Sequence, residues 1–289
     1  MTLSNLFRSF TESFRNISDS PSSDAAILIC HCLGISRTEL ALHPEKEVPT
    51  EKIGELERLG KERENGKPGA YLTGERGFYE CVFKVTEDVL IPRADTEILV
   101  ESAISDLQEL LPEKKEVRIL DLCCGTGCIG ISVAKVLACS FGKVFLTLSD
   151  LSEKALEVCR ENAGNLICET NIAVQCIRGN LFENITGYFD AILSNPPYIR
   201  TGVIPSLEKQ VRYEPLMALD GGEDGLDFVR EIAGQAKKHL VPGGLLEMEI
   251  GYDQAHSSSS ILRENGYEEI SVIRDLGGND RVVKGTIRH

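Results

Sequence analysis

The stretch VRILDLCCGTGCIG, residues 117–130, decides the fold of this chain. A β-type apolar run ends at Asp121, three glycines follow at 125, 127 and 130, and a helical pattern begins near Ile129. Glycines at such a strand-to-helix turn let the backbone approach a ligand at the carboxyl edge of a parallel sheet, beside a helix N-terminus. The spacing D-x-x-x-G-x-G differs from the dinucleotide fingerprint, in which GxGxxG directly follows the strand. An acid at this strand end suits a cofactor with a cationic amino-acid end and would repel a diphosphate.

The next two strand ends also carry polar side chains. The run FLTLSD ends at Asp150, whose carboxylate can accept both hydrogen bonds of a ribose diol or can cap the following helix. The segment alone favours neither role, but the preceding glycine-rich loop favours the ribose. At the next strand end, RGNLF offers Asn180 for the edge of an adenine and Leu181 and Phe182 for its face. These three strand ends together predict binding of S-adenosylmethionine.

A fourth strand, FDAILS, runs into the rigid corner Asn195-Pro196-Pro197-Tyr198 at the same predicted edge. The side-chain oxygen of Asn195 and the carbonyl of Pro196 can accept two N–H bonds from a planar amide or amino group. The prolines fix φ and remove competing donors, and Tyr198 can stack on the substrate plane. Methyl transfer from a sulfonium is an in-line displacement, so positioning and electrostatics supply most of the catalysis. The corner is therefore the predicted catalytic and substrate-binding site.

Strand-like and helix-like stretches alternate from about residue 93 onward, which predicts a mostly parallel, doubly wound α/β sheet. Earlier, LSNLFRSFTESFRNI places its apolar residues at helical spacing, and residues 1–65 read as helices throughout. The β-type runs on either side of polar TED, within residues 67–92, indicate a hairpin. We predict a helical substrate-recognition domain (1–70), a β-hairpin linker (71–92) and an S-adenosylmethionine-dependent methyltransferase domain (93–289).

Composition narrows the function further. The 289 residues carry 31 basic and 45 acidic side chains, a formal net charge of −14, and most of the excess falls after residue 76. Nucleic acid is disfavoured as the main substrate, because following its phosphates requires clustered Lys and Arg. The ten cysteines include no CxxC pair and the five histidines form no cluster, so we expect reduced thiols and no metal. A polar, charged start and the lack of a long apolar run predict a cytoplasmic protein.

The chain resembles the release-factor glutamine methyltransferases (the HemK/PrmC type) over nearly its whole length. The motifs that carry the resemblance are AYLTGERGFYECVFKVTEDVLIPRADTEILVE, ILDLCCGTGCIGIS, GNLF, FDAILSNPPYI, YEPLMALDGGEDGLDFVR, PGGLLEMEIGYDQ and DLGGNDRVV. NPPY alone is shared with enzymes that methylate amino groups of DNA and RNA. Its combination with LIPRADTE and EPLMALDGGEDGL makes the resemblance specific.

The resemblance implies a class I S-adenosylmethionine-dependent methyltransferase with a Rossmann-like, seven-stranded sheet, a small N-terminal helical bundle and a hairpin linker. Members of this family methylate the side-chain nitrogen (N5) of the glutamine in the GGQ loop of class I peptide chain release factors and so modulate translation termination. Because one glutamine offers little surface for specificity, we expect the N-terminal helices to contact the release factor away from that loop.

The motifs also imply roles for individual residues. Asp150 would hold the ribose, Asn180 and Leu181 would flank the adenine, and the Asn195–Tyr198 corner would receive the glutamine amide. The implied cofactor loop consists of Cys123, Cys124, Gly125, Thr126 and Gly127, after Asp121; the implied amide site consists of Asn195, Pro196, Pro197 and Tyr198.

Three departures from the usual family pattern stand out. Cys123-Cys124 replaces small residues, Asn180 replaces an Asp, and Ala94-Asp95 replaces a Pro-Glu pair. None of them removes a group that methyl transfer requires, so the resemblance predicts an active enzyme.

Three charged residues near these motifs have roles that the sequence leaves open. Arg93 and Glu97 in PRADTE either order the mouth of the substrate site or form a structural salt bridge. Glu249, in MEIG, ends another predicted strand.

Two other functions fit parts of the sequence. A nucleic-acid amino-methyltransferase of the adenine N6 type would use the same corner on an exocyclic amine, but it should carry a basic face and a target-recognition insertion. A cofactor-binding regulator with a dead site would not need an intact NPPY corner. The sequence therefore predicts an enzyme that uses S-adenosylmethionine, yields S-adenosylhomocysteine, needs no metal, and acts on a protein glutamine.

Overall fold

The computed structural model describes residues 1–111 and 113–288, which divide into two compact units. The first unit comprises Met1–Glu75 together with Leu207–Tyr213. The second comprises Arg76–Ser206 and the chain from Glu214 onward. Each unit has a hydrophobic core of its own.

Helices build the first unit, which confirms the predicted N-terminal helical region. They are α1 (Leu3–Phe14), α2 (Pro21–Leu33), α3 (Arg37–Leu42), α4 (Thr50–Glu64) and α5 (Gly69–Thr73). The side chains of Thr2 and Ser36 accept hydrogen bonds from the backbone N–H groups of Asn5 and Glu39 and so cap α1 and α3. Gly34 ends α2 in the left-handed conformation that glycine adopts without strain.

A buried arginine links distant parts of the first unit. Arg63 on α4 is 2% exposed, and its Nη2 lies 2.7 Å from Oδ2 of Asp24 on α2. The same Nη2 donates to Oε1 of Gln210 at 3.3 Å, and the hydroxyl of Tyr213 donates to the carbonyl of Asn65. These bonds explain why the short segment Leu207–Tyr213 belongs to the helical unit although it lies far along the chain.

A two-stranded hairpin follows the helices. Its strands are β1 (Glu75–Phe78) and β2 (Cys81–Lys84). Tyr79 and Glu80 between them both have positive φ, as a two-residue type I′ turn requires, although neither is the Asn or Gly usual there. Because α5 occupies Gly69–Thr73, the strands begin later than the start of the segment interpreted as a hairpin.

A seven-stranded sheet forms the centre of the second unit, as predicted. Its strands are β3 (Glu116–Leu122), β4 (Lys143–Asp150), β5 (Ile172–Arg178), β6 (Phe189–Ser194), β7 (Leu240–Glu249), β8 (Tyr267–Arg274) and β9 (Asp280–Ile287). Their order is β5-β4-β3-β6-β7-β9-β8, and only β9 runs antiparallel to its neighbours. The sheet is therefore mostly parallel and doubly wound.

Helices cover both faces of this sheet, so the inner strands β3, β4, β6 and β7 bury side chains on both faces. The helices are α6 (Glu97–Leu110), α7 (Cys128–Leu137), α8 (Glu153–Leu166), α9 (Asp227–Ala236) and α10 (Ala255–Glu264). Ile119 packs with α6, α7 and α8 in one core, whereas its neighbour Leu120 packs with α9 and α10 in the other. The near-continuous apolar runs of β3 and β6 are the sequence signature of this arrangement.

The strand order reverses between β3 and β6, and Leu122 pairs with Ser194 there. In open α/β sheets, ligands bind at such a switch point, outside the carboxyl ends of the strands. The glycine-rich loop leaves β3 at this point and the Asn195–Tyr198 corner leaves β6 beside it.

Two elements differ from the sequence-based expectation. Helix α6 was not predicted, although Pro92 precedes it and Pro112 follows it in the sequence. Helix α9 ends at Ala236 rather than near Leu240, because Leu240 already pairs with Phe189 as the first residue of β7.

Candidate active site

A cavity opens at the carboxyl edge of the sheet, beside the switch point. The space inside it has a volume of about 960 Å³, part of which is open to solvent. The loops after β3, β4, β5 and β6 all contribute to its walls. Among the residues predicted to form the site, it is lined by Cys123, Gly125, Asp150, Asn180, Leu181, Asn195 and Pro197.

Asp121, near the end of β3, supports the loop that follows this strand. This side chain is fully buried, and its Oδ2 accepts a hydrogen bond of 2.9 Å from the N–H of Gly130. Its Oδ1 is also buried and has no partner within the described chain. Burial raises the pKa of Asp121 to about 7, and the charge of Asp150 acts in the same direction. Asp121 therefore supports the loop and does not itself line the cavity.

Close packing explains the third glycine of the loop. A Cβ at Gly130 would lie 2.8 Å from Cδ2 of Leu148 and 2.9 Å from Cδ1 of Leu146. Only a residue without a side chain lets α7 approach β4 this closely. The N-terminus of α7 is thereby fixed against the strand that carries Asp150.

The other loop residues lie within or beneath the turn. Cys123 has φ of 55° and so adopts a left-handed conformation that is strained for cysteine. Cys124 is buried with its Sγ 3.8 Å from Sγ of Cys159, Thr126 is 2% exposed, and Gly127 precedes the first turn of α7. Strained non-glycine residues cluster at ligand sites, which agrees with the position of this loop at the cavity.

The loop cysteines are protonated, space-filling residues. Burial raises the pKa of Cys123 above its ordinary value and that of Cys128 to about 12. All ten cysteines lie within the described residues, and all are free thiols. A thiol with a raised pKa is a poor nucleophile at neutral pH, and this applies also to Cys123, which lines the cavity.

Asp150 connects the loop after β3 to the loop after β4. Its Oδ2 accepts from the N–H of Gly125 and its Oδ1 from the N–H of Ser152, both at 2.9 Å. Each carboxylate oxygen can accept a second bond, so capacity for a diol remains. The cap of α8 is Ser152, whose side chain accepts from Ala155, rather than Asp150.

The loop after β5 presents Asn180 and Leu181 to the cavity. The backbone N–H of Asn180 donates to Oε2 of Glu183, and Asn180 is an exposed residue. Leu181 is 5% exposed and has φ of 51°, the second strained non-glycine residue at the cavity wall.

The Asn195–Tyr198 corner is anchored at several points. Nδ2 of Asn195 donates to Oγ1 of Thr96 at 3.3 Å. The hydroxyl of Tyr198 donates to Oε1 of Glu249 at 3.0 Å, and the carbonyl of Tyr198 accepts from Nε2 of Gln254. Asn195 and Pro197 face the cavity, whereas Pro196 and Tyr198 do not line it.

The LDGGEDG segment packs against this corner. The N–H of Gly221 donates to the carbonyl of Ile199, and the N–H of Ile199 donates to the carbonyl of Leu219. A Cβ at Gly221 would lie 2.7 Å from Cα of Tyr198, so a side chain there would displace the corner. This contact gives a physical reason for the glycine at position 221.

Arg93 and Glu97 do not pair with each other and do not line the cavity. Arg93 forms an ion pair with Glu214, whose Oε2 also accepts from the N–H of Ile91. Oε1 of Glu97 accepts from the backbone N–H of Tyr79 in the hairpin turn. Both charges therefore fix backbone segments near the site.

Sequence reasoning missed several contributors to the site. Thr96 and Gln254 contact the corner, and Met217 and Phe228 line the cavity. All four lie outside the strand ends on which the prediction rested. No local signal identified Thr96, because its partner Asn195 lies 99 residues later.

No group of three or more His, Cys, Asp or Glu side chains in residues 1–111 and 113–288 is arranged to hold a metal ion. His289, one of the five histidines, lies outside the described residues. Within the described chain no helix is both long and apolar enough to cross a membrane.

Known structures resemble this chain in fold. The hMettl16 catalytic domain, solved in complex with MAT2A 3'UTR hairpin 1, aligns with a TM-score of 0.54 at 13% identity over 74% of this chain and 77% of that one. A human methyltransferase 10 domain containing protein aligns with a TM-score of 0.51 at 14% identity over 73% and 90%. At these identities the likeness establishes the class I methyltransferase fold.

Sequence comparison identifies the family. Residues 5–74 match the family model described as PrmC N-terminal domain, and residues 100–208 match the methyltransferase small domain. A release factor glutamine methyltransferase of Agrobacterium fabrum is 38% identical over 91% of this chain and 89% of its own length. One of Clostridium acetobutylicum is 39% identical over 90% and 89%. The chain belongs to the release factor glutamine methyltransferase family.

Proposed function

We propose that this protein transfers a methyl group from S-adenosylmethionine to the side-chain amide nitrogen (N5) of the GGQ glutamine in class I peptide chain release factors. One observation carries the proposal. In a chain of this family, a single cavity joins the glycine-rich loop and Asp150 to Asn195 and Pro197 of the amide-binding corner. A methyl donor and a planar acceptor held there would meet at the switch point of the sheet.

The cavity suits the proposed cofactor chemically. Among the described residues that line it are Asp150 and Asp220 but no Lys or Arg; Asp88 also lines it, but its carboxylate pairs outward with Lys154. Such a site favours a sulfonium with an ammonium group and disfavours a polyphosphate. Leu181 and Phe228 supply apolar surface for an adenine, and Asp150 keeps acceptor capacity for a ribose.

The cofactor, when bound, supplies an electrophilic methyl group on sulfur. The protein's part is to orient the acceptor. The side-chain oxygen of Asn195 and the carbonyl of Pro196 accept the two N–H bonds of the glutamine amide, which places its nitrogen in line with the methyl group. The nitrogen–carbon bond would form as the carbon–sulfur bond breaks, S-adenosylhomocysteine would be the leaving group, and the proton lost by the nitrogen would pass to solvent. The mechanism uses no covalent enzyme intermediate, in agreement with the protonated loop thiols.

The helical unit is the proposed docking surface for the body of the release factor, and the site residues named above are the proposed cofactor and substrate contacts. Because release factors act on ribosomes, we place the reaction in the cytoplasm. The net charge of −14 speaks against a nucleic-acid substrate.

The test is methyl transfer from radiolabelled S-adenosylmethionine to three separate acceptors: a class I release factor, single-stranded DNA and RNA. We expect label only in the release factor, and a loss of at least a hundredfold with Asn195→Ala, because one amide acceptor is removed. Label in DNA or RNA and none in the release factor would show that the corner binds a base, and would overturn the proposal.

A further inference from the structure

Glu249 lies where the proposed function needs no charge. It ends β7 at the same edge as the corner, is 1% exposed, and has no ion-pair partner of its own within the described chain. Its Oε1 accepts from the Tyr198 hydroxyl, and its Oε2 is buried without a hydrogen bond of normal geometry in the described chain. Burying a carboxyl group without a full set of hydrogen bonds destabilises the folded protein, so a carboxyl group at this position calls for a functional reason.

Thr96 lies between this carboxyl group and the corner. It is 2% exposed, and its Oγ1 accepts the hydrogen bond from Nδ2 of Asn195. The Thr96 hydroxyl lowers the pKa of Glu249, but no hydrogen bond of normal geometry joins the two side chains, and Oε2 of Glu249 stays without a partner in the described chain. Thr96 thus uses its oxygen to accept from Asn195, and its own proton is left to donate to another acceptor.

The direction of these bonds decides which end of the Asn195 amide faces the substrate. An asparagine side chain has one acceptor end and one donor end. When Nδ2 points at Thr96, Oδ1 is left for the N–H of the glutamine amide. If the Thr96 hydroxyl donated to Asn195 instead, the Asn195 amide would flip. Its NH₂ group would then face the N–H of the glutamine amide, donor to donor.

We propose that Glu249 is a positioning residue: its ionised carboxylate accepts from Thr96 and Tyr198 and thereby fixes the Asn195 oxygen toward the substrate amide. Only a group that cannot donate enforces this direction at both hydroxyls. The proposal rests on the proposed function, because it concerns how that reaction's acceptor is held.

Several charged or titratable groups face Glu249. Tyr198 approaches from the corner, Arg281 from β9, and Asp95 from the turn before α6. The charge of Glu249 also raises the pKa of Cys128 on α7. Burial raises the pKa of Glu249, while Thr96, Tyr198 and Arg281 lower it and Asp95 raises it. Arg281 is itself engaged by Asp275 at 2.9 Å and lies 3.5 Å from Asp95.

The first arm of the test is Glu249→Gln, with Glu247→Gln as the matched control. Both carboxyl groups are buried on β7 two residues apart, but Glu247 has Ser102 and Asp106 on α6 as neighbours rather than the corner. We expect Glu249→Gln to lower kcat on the release factor by about tenfold to a hundredfold, as a misplaced acceptor does. The dissociation constant for S-adenosylhomocysteine should stay within about twofold, and Glu247→Gln should leave kcat unchanged.

The second arm uses Thr96, which lies on a different element. Thr96→Val removes the hydroxyl at nearly constant volume and should lower kcat as Glu249→Gln does. Thr96→Ser restores the hydroxyl and should recover most of that loss. The double variant Glu249→Gln/Thr96→Val should lose no more than the worse single variant, because the two residues act as one unit.

The pH profile gives a readout that a purely structural role would not move. In the unmodified protein, kcat should fall as the pH is lowered through the pKa of Glu249, because a protonated carboxyl group can donate to Thr96. Glu249→Gln should lack this acidic limb. The inference is overturned if kcat of Glu249→Gln stays within about twofold of the unmodified protein, if Glu247→Gln loses as much, or if Thr96→Ser is as slow as Thr96→Val. Failure of the unmodified protein to methylate the release factor would instead contradict the proposed function.

Discussion

At the scale of single residues, buried carboxyl groups set how stability depends on pH. Glu247 is fully buried on the central strand β7, and neither of its oxygens has a hydrogen bond of normal geometry within the described chain. Burial raises its pKa from 4.5 to about 8, the nearby Ser102 hydroxyl and the charge of Lys284 lower it, and Asp106 raises it. The folded protein therefore holds this proton more tightly than the unfolded chain does.

The sign of the effect follows from proton linkage. Between pH 4.5 and about pH 8 the folded state binds more protons at Glu247 than the unfolded state, so the stabilising contribution is complete below pH 4.5 and is lost as the pH rises toward 8. We expect Glu247→Gln to gain stability relative to the unmodified protein by a few kcal/mol between pH 5 and 8. Guanidinium unfolding of both proteins at pH 5, 6.5 and 8 would show this as a widening gap. A gap that is the same at all three pH values would contradict it.

Asp150 gives a second residue-scale prediction, for cofactor binding. In Asp150→Asn the amide nitrogen would face the N–H of either Gly125 or Ser152, donor to donor, and a negative charge would be lost. We expect affinity for S-adenosylhomocysteine to fall at least tenfold, since hydrogen bonds to charged groups contribute roughly 1.5–3 kcal/mol each. Isothermal titration calorimetry measures this directly. The control is Asp88→Asn in the same cavity, whose carboxylate pairs outward with Lys154 and should change affinity by less than about threefold.

Residues at strand ends were predictable from the sequence, and residues that support them were not. Asp121, Asp150, Asn180 and Asn195 each end a recognisable apolar run, and parallel topology brings such ends to one edge. Thr96 escaped prediction, because only the tertiary fold brings it to Asn195.

At the scale of secondary-structure elements, the fit of α7 against β4 is the tightest test of the site's architecture. Gly130→Ala would place a Cβ within 3.0 Å of Leu148, Leu146 and Asp121. We expect a loss of about 1–3 kcal/mol in the free energy of unfolding, together with weaker cofactor binding, because α7 must move outward. The matched control is Gly164→Ala on α8, where no atom lies within 4 Å of the added Cβ.

Gly164→Ala should instead stabilise the protein by up to about 1 kcal/mol, because alanine is the better helix former at an exposed position. Thermal unfolding of both variants distinguishes the two sites. Equal effects of the two substitutions would show that α7 is not closely packed against β4.

Most strands and helices could be predicted, because their apolar periodicity is strong. The end of α9 could not be predicted, because the residues after Ala236 continue a helical pattern in the sequence. In the structure, Leu240 is already the first residue of β7. Helix α6 was missed although six of its residues are buried and a proline, a helix stop signal, follows its last residue by two positions. At the end of α9 the helical pattern of the sequence competes with strand pairing, and strand pairing determines where the helix ends.

At the scale of the whole molecule, one glutamine side chain cannot account for the choice of substrate. We expect an isolated GGQ-loop peptide to be methylated with a KM at least tenfold higher than that of the intact release factor, at similar kcat. The difference, at least about 1.4 kcal/mol, would come from contacts outside the loop. Steady-state kinetics on both substrates measure it, and equal KM values would argue against any docking surface.

The division into a helical unit and a sheet unit follows from a change of periodicity that the sequence displays. The assignment of Leu207–Tyr213 to the helical unit does not, because it depends on side chains such as Gln210 and Tyr213 that bond to α4 and the residue after it. Sequence periodicity reports contacts within an element and gives no signal for such distant pairs.

The most direct measurement of the central claim is tandem mass spectrometry of a class I release factor after incubation with this protein and S-adenosylmethionine. The account predicts one added methyl group, located on the side chain of the GGQ glutamine, and none with Asn195→Ala. A methyl group on any other residue, or the same modification with Asn195→Ala, would contradict the assignment of this corner as the site of glutamine methylation.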